Sequence, residues 1–486
     1  MYILPIFGTS HACSSSFIDC QTRYSPAYMI DAQSNSRAYY PGLPRHVHVS
    51  THLFLEAAVC ERFTNSSACA WVSFTNSARI YNAEHHEAIA RFPEGWSVQP
   101  SLTTVAVSDM FFLYALLRNR FERKTYLVVD RQGNQSERLD PLLVDRTRSM
   151  VGPAREGWNH VCNKCCSVKT IDGVHHIIRA AVMDGIAIGR PCCGVHDCQK
   201  PLPSQRARFC TSHADLNNEC AVIGCKARVT PGHQTCEEPS HRTIEDPANR
   251  SSLFVLRRRL ERLKAFTVEQ ADDGMGATDE LVEVDEDGEC PSKSDEGNVK
   301  PRARIGRRRT HNEQIVVATC GVVLGRATMF GSEGIDGTRL FLRALYPTQA
   351  SLPGVLFYDN ACSFKKHLDT IGDTYFDRCA MPVDPFHAKT KHKESDTFCN
   401  QHCNAARFPD LILENKKWRF NSSAAEMTNA WLGGFQAMVR EMRPPRYDFF
   451  LDEMILIRNR MIIEDLRRAG ENPQEAPRED ILGPLA

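Results

Sequence analysis

Two stretches of the chain space cysteine and histidine to suit a tetrahedral metal. Cys193-x4-Cys198-x11-Cys210-x2-His213 is followed by Cys220-x4-Cys225-x10-Cys236-x4-His241. Each offers three thiols and one imidazole, a donor set that zinc favours because it is borderline-soft and indifferent to geometry beyond the tetrahedron. The near-repeat at an offset of 27 residues argues against coincidence. The spacing leaves two pairings open, one site per stretch or a cross-braced arrangement. Cys162-x2-Cys165 is a third half-site, with Cys166 beside it and Cys192 or His196 as candidates to complete it. A fourth set, His387, His392, Cys399 and Cys403, lies within VDPFHAKTKHKESDTFCNQHC, with His402 as a substitute. Half of the 20 cysteines fall between Cys162 and Cys236. That clustering, with histidine interspersed, points to metal in a reducing compartment rather than to disulfides.

A second chemistry rests on carboxylates. Asp184 ends the apolar stretch HHIIRAAVMDG, Asp359 ends VLFYD, and Glu426 sits near the start of the helical pattern AAEMTNAWLGGF. Two acids at strand ends and one on a later helix would converge at one edge of a sheet. Their hard oxygens would there bind Mg2+ or Mn2+. A two-metal site of that kind activates an attacking oxygen and stabilises a leaving one. With 59 acidic residues in the chain, the three acids alone are a weak signal.

The elements that must position these groups are read from composition and periodicity. Over 486 residues, 59 Lys+Arg balance 59 Asp+Glu. This excludes a wholesale polyanion binder and confines any nucleic-acid surface to a local patch. No apolar run approaches the length of a membrane helix, and MYILPIFG reads as neither signal peptide nor anchor. Residues 1–155 read as a mixed domain, in which HLFLEAAVCERF and DMFFLYALLRNRF have helical spacing. Cys13 and Cys20 supply two ligands there, too few for a site. Residues 160–245 are the Cys/His-rich module. Residues 250–312 combine three features. Leu253, Leu256, Leu260 and Leu263 form an amphipathic stripe, a candidate homodimer seam. The stretch 269–289 is acidic and reads as a disordered linker. The basic run KPRARIGRRR follows, with Lys300, Arg302, Arg304, Arg307, Arg308 and Arg309 as phosphate contacts or a nuclear import signal. From residue 313 the pattern is α/β. EQIVVATCGVVLGRATMF reads as two strands, GIDGTRLFLRALYP as a helix, and PGVLFYDNAC and RCAMPVDPFH as strands. Two further helices, AAEMTNAWLGGFQAMVREM and DFFLDEMILIRNRMIIEDLRRAG, precede a tail over 471–486 that reads as frayed.

Several long motifs resemble the KDZ (Kyakuja–Dileera–Zisupton) transposases of fungi. They are GRRRTHNEQIVVATCGVVLGRATMFGSEG, LFYDNACSFKKH, PVDPFHAKTKHKESDTFCNQHC and KWRFNSSAAEMTNAWLGGFQAMVREM. The block AAVMDGIAIGRPCCGVHDCQKPL, continuing through RFCTSH, CAVIGC and HR, is similar to the cysteine-cluster module that accompanies them. The resemblance runs from about residue 10 to 470. It implies an RNase H-like α/β core, from 172–190 with 313–470, interrupted after its first strand by the zinc module. It implies a D-D-E triad in which Asp359 is the second acid, Glu426 the third and Asp184 the first. It also implies structural Zn2+, catalytic Mg2+ or Mn2+, DNA as partner, no small-molecule substrate and a nuclear location. The family pattern has more cysteines before CQTRY, so residues 1–155 would be a truncated form of its N-terminal domain. The expected activity is metal-dependent DNA strand cleavage and strand transfer. The alternative is a catalytically inactive or co-opted zinc protein that binds DNA or a protein partner.

Overall fold

A computed structural model describes residues 11–12, 22–31, 33–50, 53–90, 101–130, 137–171, 174–245, 303–332, 334–390 and 395–483. The stripe Leu253–Leu263, the acidic stretch, Lys300, Arg302, His392, Cys13 and Cys20 lie outside these residues. The described residues form a mixed α/β chain with two five-stranded sheets, the one over 166–358 having the longer strands, three two-stranded sheets, many helices and Cys/His clusters.

The long strand Val174–Ile186 is the centre of the sheet over 166–358. Asn312–Ala318 runs antiparallel to it, with Asp184 opposite Ile315, and Val323–Met329 runs antiparallel to that strand in turn. On the other side Val355–Tyr358 pairs with it in parallel, Ala180 to Val355 through Met183 to Tyr358. Cys166–Ile171 folds back on its first half. The sheet is buried on both faces, which is why these strands read as continuous apolar runs. Strand alternation sorts them cleanly. Ala180, Val182, Ile315, Val317, Val355 and Phe357 face one apolar cluster, and Ala181, Met183, Val316, Ala318, Leu356 and Tyr358 face another. The same alternation carries Asp184 and Asp359 to the first face.

The helices Ala424–Gly433 and Pro444–Arg468 cover that face, together with the N-terminal helices Ala57–Ala70 and Thr104–Glu122, all in one apolar cluster. Residues of the N-terminal region therefore pack on the helix that carries Glu426. Trp71 donates its indole N–H to the Trp431 carbonyl at 2.8 Å, and Trp431 donates to Ala68 at 3.0 Å. The Trp71 ring lies where a side chain on Gly434 would be, so only glycine fits at the end of that helix, and a short helix, Gln436–Val439, follows. Buried charges tie the long helix to its neighbours. Arg326 reaches Glu313, Asp448 and Asp452, Arg155 reaches Asp452, and Glu453 lies between Arg118 and Arg146.

Two expectations change. RCAMPVDPFH makes only isolated parallel bridges, Val355 with Ala380 and Val383 with Asn404. Pro382 and Pro385 bring no N–H, and proline interrupts a ladder for that reason. Residues 474–482 are docked rather than frayed. Gln474–Glu475 pairs with His160–Val161, Ile481 is buried in the helix Arg478–Leu482, and the Leu482 carbonyl accepts from Thr348. The charged composition of these residues hid a short apolar anchor. Among the described residues no helix is long and apolar enough to cross a membrane.

Candidate metal and carboxylate sites

The Cys/His module has little regular structure of its own, and its thiols gather in two sets. Cys193, Cys198, Cys210 and His213 form one, and Cys220, Cys225, Cys236 and His241 the other. Within each set the ligand atoms all lie within 4.8 Å of one another. Zinc with bonds of about 2.3 Å to sulfur and about 2.0 Å to nitrogen has tetrahedron edges of about 3.8 Å (S···S) and about 3.5 Å (S···N). The first set shows 3.8 Å for Cys198–Cys210 and 3.4 Å from His213 Nδ1 to both Cys193 and Cys210. The second shows 4.0 Å for Cys225–Cys236, and 3.6 and 3.3 Å from His241 Nδ1 to Cys220 and Cys236. In each, a backbone N–H points at the first thiol, Cys210 to Cys193 and Cys236 to Cys220. Both sets fit zinc, and each stretch closes its own site rather than cross-bracing.

Cys162 and Cys165, 3.5 Å apart, are completed by His160 and Cys320 instead of Cys192 or His196. The Cys320 thiol lies 3.3 Å from His160 Nε2. Cys320 sits in the turn joining Asn312–Ala318 to Val323–Met329, where Gly321 has φ +98°. Cys192 is buried elsewhere, in the two-residue strand that pairs with Arg308–Arg309, and His196 pairs with Asp197. The HVCNKC pattern carried a signal for His160. Nothing local pointed to Cys320, since 155 residues separate it from Cys165.

Of the fourth expected set, His392 lies outside the described residues, and His387 parts from the two cysteines. Cys399 and Cys403 meet Cys362, whereas His387 turns to the carboxylates. The cause is the helix Pro385–Thr390, which begins beside Asp384 and points His387 at the end of the Asp359 strand.

Asp184, Asp359 and Glu426 come together there. Asp184 accepts from the Gly185 N–H at 2.7 Å and from the Asn429 amide at 2.8 Å. Asn429 lies one helical turn after Glu426 in Ala424–Gly433, so the bond holds that helix against the strand. Gly185 has no room for a side chain, because those of Asn312 and Gln314 fill the space. Burial, joined by the facing charges of Asp359 and Glu426, pushes the Asp184 carboxyl up to about 6, while the Gly185 and Asn429 contacts pull it down. His387 sits among the acids. Its Nδ1 is 2.9 Å from Asp359 and 3.4 Å from Asp384, and its Nε2 is 3.5 Å from Glu426. Asp384, only 5% exposed, is a fourth acid that sequence reasoning passed over. Asp384, His387 and Glu426 together could hold a metal ion. The cluster is thus four carboxylates and one imidazole, partly open through Asp359 (29% exposed) and Glu426 (41%). Hard oxygens facing one another suit a divalent cation, which would also relieve their mutual repulsion.

The basic run is engaged within the chain. Arg307 and Arg309 both pair with Glu441, at 3.0 and 2.6 Å. Arg308 donates to the Gly194 and Gly331 carbonyls, and the Arg304 backbone bonds Ala221 and Arg208. These contacts pin the Cys/His module to the core. Arg304 keeps an exposed side chain.

Comparison with protein families gives two matches. Residues 182–247 match the CxC6 like cysteine cluster associated with KDZ transposases, and residues 2–85 match the CxC5 like cysteine cluster associated with KDZ transposases. No curated protein and no solved structure matches the chain. The first match begins two residues before Asp184 and runs through both Cys3His sets. The second covers the Trp71 region packed behind the carboxylate cluster. The chain thus carries two stretches that match cysteine clusters associated with KDZ transposases, one at residues 2–85 and one at residues 182–247.

Proposed function

We propose that this protein is a transposase-type nuclease of the D-D-E class, built on an RNase H-like core. The observation that carries the reading is the convergence of Asp184, Asp359 and Glu426 from two parallel strands and one helix. The strand order supports it as well: a central first strand, an antiparallel second and third to one side, and a parallel fourth to the other. Asp184, Asp359 and Glu426 would hold divalent cations, with Asp384 and His387 closing the back of the site. When bound, the ions supply charge to activate water or a 3′ hydroxyl and to stabilise the departing oxygen. The chain's own groups fix the geometry. Asn429 and the Gly185 N–H orient the Asp184 carboxylate, and His387 holds Asp359 and Glu426 at a set separation. DNA is the substrate in this reading. The basic run supplies phosphate contacts and an import signal to the nucleus, and the Cys/His sets hold structural zinc.

Both matched modules are cysteine clusters, which favours as a second reading a zinc protein that binds DNA or a partner without cutting. One experiment separates the two. Zinc-loaded protein is incubated with DNA and Mg2+ or Mn2+ beside Asp359→Asn. Strand cleavage by the parent alone, with binding retained in the variant, is the expected result. Equal cleavage by both would remove the mechanism. Binding without cleavage by either, on DNA that includes the element ends, would leave the second reading.

A further inference from the structure

A separate group of thiols lies beneath the carboxylate cluster. Cys362 is in the first turn of the helix Ala361–Ile371, three residues after Asp359. Cys399 lies in the first turn of the helix Thr397–His402, and Cys403 caps its end. A separation of four residues puts these two on one helical face. The Cys362 thiol is in hydrogen-bonding contact with both of theirs. All three are buried, at 5%, 5% and 0% exposure. The surrounding residues lock the two helices together. Asp396 caps the second helix by accepting from Cys399 N at 3.0 Å, and Lys366 of the first helix reaches Asp396 and lies 4.9 Å over the Phe398 ring. Lone buried thiols in this chain look different. For Cys60 and Cys379 no other cysteine is among the groups that act on the thiol.

We propose that Cys362, Cys399 and Cys403 are ligands of a further structural zinc ion, distinct from the three Cys3His sets and from the carboxylate cluster. Three converging thiolates make a soft site for zinc, and a nitrogen or oxygen donor serves as the fourth ligand. The ion clamps the helix that starts at the Asp359 strand end to the segment that follows His387. It acts on the carboxylate cluster by position alone. The inference does not depend on nuclease activity.

Zinc content per chain tests it in the full-length protein. The Glu426→Gln background is used for every count, so that the carboxylate cluster does not contribute. Cys362→Ser is expected to lose one equivalent, Cys362→His to keep it, and Cys60→Ser to lose none. A Cys362→Ser protein with the same zinc content as its parent would overturn the site. Should Cys362→Ser fail to fold, cobalt(II) titration of the parent decides. Four equivalents with thiolate charge-transfer absorption support the site, and saturation at three overturns it.

Discussion

Asp184 and Asp359 follow directly after the paired residues Met183 and Tyr358, so two carboxylates leave neighbouring parallel strands on the same face of the sheet. Adjacent strands lie about 4.8 Å apart, close enough for like charges to repel strongly where water is scarce. Neither acid can be understood alone. The strand pairing that buries Val182 and Phe357 on that face also forces the two acids together, and the ionised pair needs a cation, a proton or a histidine nearby.

Burial of Asp184, with that repulsion added to it, predicts a pH-dependent gain from removing the charge. Its folded-state value is raised from 3.8 to about 6, so the folded protein holds a proton that the unfolded chain releases. Stability from this group therefore falls as pH rises from about 4 through about 6, and the full penalty applies above that. Asp184→Asn should stabilise the divalent-free, zinc-retaining protein at pH 8 by on the order of 2 kcal/mol and change little at pH 4. Thermal midpoints at the two pH values check this. An equal gain at both would assign the effect to packing.

His387 predicts a metal preference. Imidazole suits Mn2+ better than Mg2+, while carboxylates accept either. Parent protein should bind Mn2+ more tightly than Mg2+, and His387→Ala should lose affinity for Mn2+ by roughly tenfold or more, with a smaller loss for Mg2+. Paramagnetic relaxation titration with Mn2+, and Mg2+ competition against it, provide the readout. Equal losses for both ions would mean that His387 only orients the carboxylates.

The His160–Cys162–Cys165–Cys320 set ties the segment before the sheet to a turn inside it. Cys320→Ser should release one zinc equivalent and leave those of the Cys193 and Cys220 sets in place. The cost in stability should be several kcal/mol, since metal binding here is folding free energy. Zinc analysis with thermal melting tests the pairing. Loss of two equivalents would mean that the sets are coupled.

Local signals in the sequence located most of this. Spacing found both Cys3His sets of the module, because their ligands lie within a few dozen residues of each other. Apolar runs marked the strands that end in Asp184 and Asp359, and helical spacing marked the helix carrying Glu426. What stayed hidden is what only tertiary packing unites. Cys320 reaches Cys165 across the zinc module and everything after it. Cys362 reads as an ordinary helix residue until Cys399 and Cys403 arrive. His387 looked like a zinc ligand because histidine near cysteine is a metal signal, and its helix turns it toward carboxylates instead. Asp384, between two prolines of a non-strand segment, offered no periodicity to read.

Glu441 pairs with both Arg307 and Arg309. Against burial, which raises it, hydrogen bonds from Arg309 and Arg307 hold its carboxyl below the usual range. The two arginines are about one-third exposed, at 37% and 30%, and Glu441 is 47% exposed, so the pairs are worth little in water and a phosphate can displace the carboxylate. Glu441→Gln removes the competing charge. If the run contacts the DNA backbone, the variant should bind duplex DNA several-fold more tightly at low salt. Its salt dependence should steepen by up to about two in the log–log slope, one for each arginine released to a phosphate. Fluorescence anisotropy across a KCl series measures both. An unchanged slope would assign Arg307 and Arg309 to the internal clamp alone and move the DNA surface elsewhere on the chain.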